Sequence, residues 1–291
     1  MSLARLARIA GTLVLAAAAA GHAVADPAAL RGKYAELREQ LRQNPYQRPI
    51  HIDSAEAGDT LRGEVHAVLD APFETVSRSL SQPADWCDIL ILPFNTKYCQ
   101  PVRGGSGLDV RIARRPDQPV ADAYRVQFNL RQVAASRDYF ESQLTAAEGP
   151  VGTRDYRITL QAVPMEGGKT FMRLGYSYAF GGMGRFAMQA YLGTAGANKA
   201  GFTVVGQDAN GGTAYIGGVR GAIERNVMRY YLAIDAHLKS LEAPPEQQLE
   251  RRLETWFNAT ERYARQLREM DKGTYMALKR GDYERQQARL E

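Results

Sequence analysis

The stretch 217–241, GGVRGAIERNVMRYYLAIDAHLKSL, decides the fold. Its apolar residues Ile223, Val227, Tyr230, Tyr231, Ile234, Leu238 and Leu241 recur at threes and fours, while Arg220, Glu224, Arg225, Asp235 and Lys239 lie mostly off that stripe. The spacing predicts one long amphipathic helix over Gly217–Leu241, and such a helix needs an apolar surface to lie on. The segments before it supply a sheet.

Working outward, Leu108, Val110 and Ile112 alternate with Asp109 and Arg111, and Tyr124, Val126, Phe128 and Leu130 alternate with Arg125, Gln127, Asn129 and Arg131. The same period of two runs through Phe140, Ser142 and Leu144, through Tyr156, Ile158, Leu160 and Ala162, and through Met172, Leu174, Tyr176, Tyr178 and Phe180. Turns at Gly104–Gly107, Gly149-Pro150 and Gly167-Gly168 separate these runs, as an antiparallel meander with one wet face requires. Upstream, Ile50–Ala55 and Leu61–Leu69 read as a hairpin around Gly58-Asp59, followed by two short helices: Pro72–Ser81, and one from Pro83 through Trp86 and Leu90. A further strand is expected at Gly201–Val205.

Both ends add helices. Pro27–Gln43 carries Leu30, Tyr34, Leu37 and Leu41 on one stripe. After Pro244-Pro245, Leu249, Leu253, Trp256, Thr260, Tyr263, Leu267 and Met270 follow a four-three spacing whose seam needs a partner. The Pro27–Gln43 helix is the cheapest partner, and a second copy of the chain, giving an oligomer through Leu249–Met270, is the alternative. Asp271–Glu291 is strongly charged and reads as a solvated helix.

The first 25 residues have the form of a secretory signal: Arg5 and Arg8, the apolar run Ile9–Ala20, and Ala23-Val24-Ala25 before Asp26. The run is shorter than the ~20 residues a spanning helix needs, which disfavours a retained anchor. The 37 basic residues, less Arg5 and Arg8, leave 35 against 32 acidic ones, a formal charge of +3 that gives no reason to expect nucleic acid as a partner. Export, with a bacterial periplasm as destination, places Cys87 and Cys99 where a disulfide persists; two packed free thiols are the alternative.

The order of these elements resembles the START and Bet v 1-like helix-grip superfamily. The likeness spans Leu61–Leu241 and is carried by a strand running into Ala71-Pro72-Phe73-Glu74-Thr75-Val76, a short helix pair ending near Trp86, a meander and the long helix. It implies an α+β fold in which a curved antiparallel sheet grips the last helix over an apolar cavity. The implied organisation is a leader at 1–25, an N-terminal helix at 26–45, a helix-grip domain at 46–243 and a helical extension at 244–291. No residue-level catalytic motif carries over.

The candidate cavity residues are Trp86, Tyr124, Phe128, Phe140, Tyr156, Tyr176, Tyr178, Phe180, Met183, Phe186, Val227, Tyr230, Tyr231 and Ile234. Five tyrosines on one predicted face are many for a dry core, because each buried hydroxyl needs a partner. A partly hydrated pocket satisfies them, and burying roughly ten methylenes at ~0.8 kcal/mol each suits a lipid or sterol-like ligand. The faces show too few charges for a small polar ligand. The apolar insertion Gly181–Gly196, with Arg185 its only charge, reads as a core helix or as a lid touching the membrane.

His51, His66 and His237 lie on separate elements, so neither a metal nor a cofactor is expected. The leading expectation is an exported protein that binds a hydrophobic ligand for transport or presentation. The rivals are a cyclase or hydrolase using a pocket tyrosine or arginine, and an envelope adaptor working through its C-terminal helix.

Overall fold

The structure, a computed structural model, describes residues 26–182 and 199–288. The proposed leader at 1–25 and most of the Gly181–Gly196 insertion, including Met183 and Phe186, lie outside the described residues.

Eight strands form one antiparallel sheet in the order β1-β2-β8-β7-β6-β5-β4-β3. They are β1 (Ile50–Ala57), β2 (Thr60–Leu69), β3 (Thr96–Pro101), β4 (Gly107–Ile112), β5 (Tyr124–Ala135), β6 (Phe140–Glu148), β7 (Thr153–Met165) and β8 (Lys169–Phe180). Register pairs like with like: Val65 lies opposite Leu174, Leu174 opposite Leu160, and Val126 opposite Val110, so one face is continuously apolar. β3 carries no clear alternation and was invisible to a period-two reading. The expected strand at Gly201–Val205 is corrected: β9 (Val204–Gln207) pairs only with β10 (Thr213–Tyr215), in a separate two-stranded sheet.

The apolar face grips helix α4 (Gly218–Ser240), which packs on β1, β2 and β8. Gly63 makes the close approach possible. A Cβ there would stand 3.2 Å from both the Ile223 backbone oxygen and a Val227 methyl carbon. The helix-grip architecture is thus present, with α2 (Phe73–Ser79) and α3 (Pro83–Leu90) closing the same face. Cys87 on α3 and Cys99 on β3 are joined by a disulfide, which closes a short loop and stabilises by about 3 kcal/mol on the loop-entropy relation.

The terminal helices correct three expectations. Helix α1 (Pro27–Arg42) does not cover the C-terminal seam. It lays Leu30, Leu37 and Leu41 on the opposite face of the sheet, against Val163, Phe171 and Tyr139, so the face expected to be wet is partly roofed. The Leu249–Met270 helix breaks into α5 (Pro245–Glu261) and the single turn α6 (Ala264–Leu267). Its seam is met within the chain: Trp256 and Phe257 lie 5.1 and 5.3 Å from the Tyr275 ring of α7 (Lys272–Ala288). Helix α7 is therefore no solvated tail. Tyr275, Met276, Lys279 and Asp282 are buried, and Tyr275 Oη and Lys279 Nζ donate to the backbone of the loop before β3.

Under the α1 roof, His66 is 5% exposed and lies 6.1 Å from the Phe171 ring. Burial, helped by repulsion from Arg173, drives its imidazole down to about 3. The folded state therefore binds this proton more weakly than the unfolded chain. The stability contribution is complete above the ordinary value near 6.5 and is lost as pH falls from there toward 3. At pH 5 the loss is about 2 kcal/mol. Urea titrations at pH 7 and pH 5 should show a smaller acid loss, by about that amount, in His66→Phe than in the parent; equal losses would show that His66 is not the acid-sensitive group.

Candidate functional site

Between α4 and strands β4, β5, β7 and β8 lies a cavity of about 710 Å³. Its walls come from two stripes. Tyr124 and Phe128 stand on β5, Tyr156 on β7, and Tyr176 and Tyr178 on β8, all on the face that grips α4. From the helix come Ala222, Arg225, Asn226, Arg229 and Tyr230, spaced by threes and fours. This stripe is the neighbour of the one picked out in the sequence. Ile223, Val227, Tyr231 and Ile234 instead fill the dry core over β1 and β2.

The structure thus brings together Tyr124, Phe128, Tyr156, Tyr176, Tyr178 and Tyr230 of the expected residues. It places the other described ones in packed core. Trp86 is 1% exposed and donates through Nε1 to the Leu80 carbonyl, Phe140 and Phe180 are buried, and Val227 and Ile234 are fully buried. Tyr231 turns its hydroxyl to Arg48, whose Nη1 is 3.5 Å away and also donates to Asp235 at 2.7 Å.

The aromatic wall is continuous. Tyr156 stacks on Tyr178 at 5.3 Å, Tyr178 meets Tyr176 at 5.7 Å, and Tyr176 meets Tyr230 at 5.2 Å. A bulge aims Tyr156: the β7–β8 register slips between Arg154 and Arg157, where Asp155 has φ 56°. The Tyr156 hydroxyl lies 2.6 Å from Thr153 Oγ1, so its polar tip has a partner in the wall. Burial pushes the Tyr156, Tyr176, Tyr178 and Tyr230 phenols above their ordinary value. At neutral pH they are neutral hydrogen-bonding groups, far from the poised acid or base that proton transfer needs.

The cavity is also more charged than its strands suggest, which corrects the expectation of few charges. Arg114, Arg115, Lys199, Arg225 and Arg229 line it, with Glu269 the one acid among the described residues of its wall. Arg114 lies 4.9 Å over the Tyr124 ring. Arg225 Nη1 donates to the Lys199 carbonyl at 3.0 Å, and Glu269 accepts from Lys199 Nζ at 2.6 Å and from Arg229 Nη2 at 2.7 Å. The Arg225 and Arg229 positions were legible as a second helical stripe. Lys199 and Glu269 carry no sequence signal, being separated from the other wall residues and from each other along the chain.

The loop that supplies Pro93, Phe94 and Asn95 to the wall lies between the disulfide-linked Cys87 and Cys99. Lys279 Nζ fastens it by donating to the Pro93 and Thr96 carbonyls at 3.2 and 2.6 Å. Beside the cavity-facing stripe of α4, buried Glu224 accepts from the Phe202 and Thr203 amides at 2.6 and 2.9 Å and from the Ser54 and Thr203 hydroxyls at 2.6 and 2.8 Å. The cavity wall therefore draws on segments from Pro93 to Glu269.

One trio away from the cavity, Ser79 and His237 buried and Asp85 partly exposed, has the composition of a hydrolytic relay. Ser79 Oγ is 2.9 Å and Asp85 Oδ2 is 3.6 Å from His237, yet both face the same nitrogen, Nε2. A relay needs the carboxylate on the opposite ring nitrogen from the hydroxyl. The arrangement cross-links α2, α3 and α4.

No protein-family model matches the chain, and no curated protein matches it. Among solved structures it is similar to a conserved protein from Geobacillus kaustophilus, at 13% identity over 62% of this chain and 95% of that one, with a TM-score of 0.38. It is also similar to norcoclaurine synthase from Thalictrum flavum in complex with dopamine and hydroxybenzaldehyde, at 16% identity, 49% and 88% coverage and a TM-score of 0.33. Ara h 8.0201 is similar at 9% identity, 66% and 99% coverage and a TM-score of 0.35. Likeness of this degree transfers neither ligand nor chemistry to this chain.

Proposed function

We propose that this protein binds a hydrophobic small molecule of lipid or sterol-like size in the cavity under α4, and carries or presents it outside the cytoplasm. The observation that carries the reading is the cavity of about 710 Å³ walled by Phe128, Tyr156, Tyr176, Tyr178 and Tyr230. That volume falls within the range of small-molecule sites, and aromatic walls with a few polar tips are their usual lining. Export is supported by the form of the first 25 residues and by the Cys87–Cys99 disulfide, which an oxidising compartment preserves. Binding is favoured over turnover because the wall tyrosines are held protonated and, among the described residues, no histidine lines the cavity.

The test is extraction of the purified protein for bound small molecules with mass-spectrometric detection, followed by thermal unfolding with and without added lipid. The expected result is a copurifying apolar molecule, or a stabilisation that saturates with added lipid. A protein that carries nothing and gains no stability from any lipid class would refute the reading.

A further inference from the structure

The charges of the cavity wall are arranged against its tyrosines in a way that specifies the ligand further, on the reading that the cavity binds a hydrophobic molecule. Arg225 and Arg229 line the same cavity as Tyr178 and Tyr230. Apolar aromatic surface and cationic groups therefore share one cavity. A purely apolar ligand would press hydrocarbon against these paired charges without replacing any water they lose, which is costly.

Glu269 shows where an anion sits. Its carboxylate bridges Lys199 Nζ, at 2.6 and 2.7 Å to its two oxygens, and Arg229 Nη2 at 2.7 Å. It comes from the short link between α6 and α7, outside the sheet and its gripped helix. Two cations from separate segments are thus set to bracket one carboxylate-sized group at the edge of the aromatic wall. The Glu269 side chain keeps 19% of its exposure, so it is seated at the rim and not sealed in.

We propose that the cavity takes an anionic amphiphile, its chain along Tyr156, Tyr176 and Tyr178 and its carboxylate or phosphate head at Arg229 and Lys199, where Glu269 is the internal anion it displaces. A monoanionic or dianionic head meets charge-assisted hydrogen bonds there that a hydroxyl head cannot match. Displacing Glu269 also releases the α6–α7 link from Lys199 and Arg229. Ligand entry and the hold on the C-terminal helices are then coupled.

The test compares three probes with one chain length, dodecanoate, dodecyl phosphate and dodecanol, binding to the purified full chain by titration calorimetry. Either anion binding at least tenfold more tightly than the alcohol is the expected result, and which anion is stronger tells a fatty-acid head from a phosphate head. Arg229→Gln should bring the anion-to-alcohol ratio toward one. Lys199→Gln, at the partly exposed rim, gives the same readout should Arg229→Gln fail to fold. Glu269→Gln should tighten the anions several-fold relative to the alcohol. Equal binding of all three probes overturns the head-group inference while leaving the cavity reading intact, and no binding of any probe defeats both. Anion binding unchanged or weakened in Glu269→Gln overturns the displacement of Glu269.

Discussion

Asp282→Ala is expected to lower the unfolding free energy by about 3–5 kcal/mol, the cost of stranding a buried charge. Asp282 is fully buried and faces three cations: Lys279 at 2.8 Å, Lys97 at 3.3 Å, and Arg285. Lys279 is itself fully buried. Burial drives its ammonium down to about 8 even though Asp282 pulls the other way, so the pair is already strained toward neutrality. Removing the carboxylate lowers the folded pKa further while the unfolded value stays near 10.5.

The folded state then binds fewer protons than the unfolded chain across that interval, and stability rises with pH within it. The deficit of Asp282→Ala relative to the parent should accordingly be larger at pH 7 than at pH 10, measured by urea unfolding. The paired replacement Lys279→Met with Asp282→Leu should recover only the part of the loss that stranding Lys279 causes, because an apolar pair needs no partner while buried Lys97 still loses its carboxylate and keeps only its bond to the Pro116 carbonyl. A deficit under 1 kcal/mol, or one independent of pH, would show that Lys279 finds other solvation. The Pro93–Thr96 loop, which Lys279 fastens to α7, should lose amide protection in the single variant.

Glu224→Ala should cost about 4 kcal/mol. Four donors converge on this buried carboxylate, and two of them are the backbone amides of Phe202 and Thr203. An unpartnered buried donor costs about 1–3 kcal/mol, and partial hydration after the mutation keeps the total below the simple sum. Glu224→Gln should cost far less. Its amide oxygen can accept from both backbone amides, while its amino group donates to the Ser54 and Thr203 hydroxyl oxygens, so only the two hydroxyl hydrogens lose their acceptor.

Hydrogen exchange locates the effect: the Phe202 and Thr203 amides should lose protection in Glu224→Ala and keep it in Glu224→Gln. Equal cost in the two variants would point to packing and away from hydrogen bonding. The neighbouring backbone leaves little slack. A Cβ on Gly201 would lie 2.7 Å from Glu224 Oε2 and 2.8 Å from the Gly221 Cα, so this segment reaches α4 only because both positions are glycine.

Much of the architecture is legible in the sequence because its signals are local. A period of two from Leu108 to Phe180 and a period of 3.6 over Gly217–Leu241 follow from which side chains must share a face. Register errors would turn every apolar side chain to the wrong face, so the pattern also fixes pairing. Half of the expected aromatic wall follows from the same alternation. What failed were inferences about which surface covers which. Helix α1 and the Leu249–Met270 seam have matching spacings, yet α1 roofs Val163 and Phe171 while Trp256 and Phe257 pack on Tyr275.

The sequence by itself determined the order of the main elements, the faces of the alternating strands from Leu108 to Phe180 and the amphipathic stripe of the long helix, since these depend on residues a few positions apart. Only the tertiary structure decided that Ile223, Val227, Tyr231 and Ile234 of this stripe are packed core and that Tyr230, with the adjacent stripe from Ala222 to Arg229, faces the cavity. It also decided that Lys199, Arg229 and Glu269, separated by 30 and 40 residues in sequence, form one bridged charge cluster. Charged residues carry no periodic imprint of their partners: ion-pair partners are set by where chain ends dock, which is a matter of packing between elements and not of pattern within one.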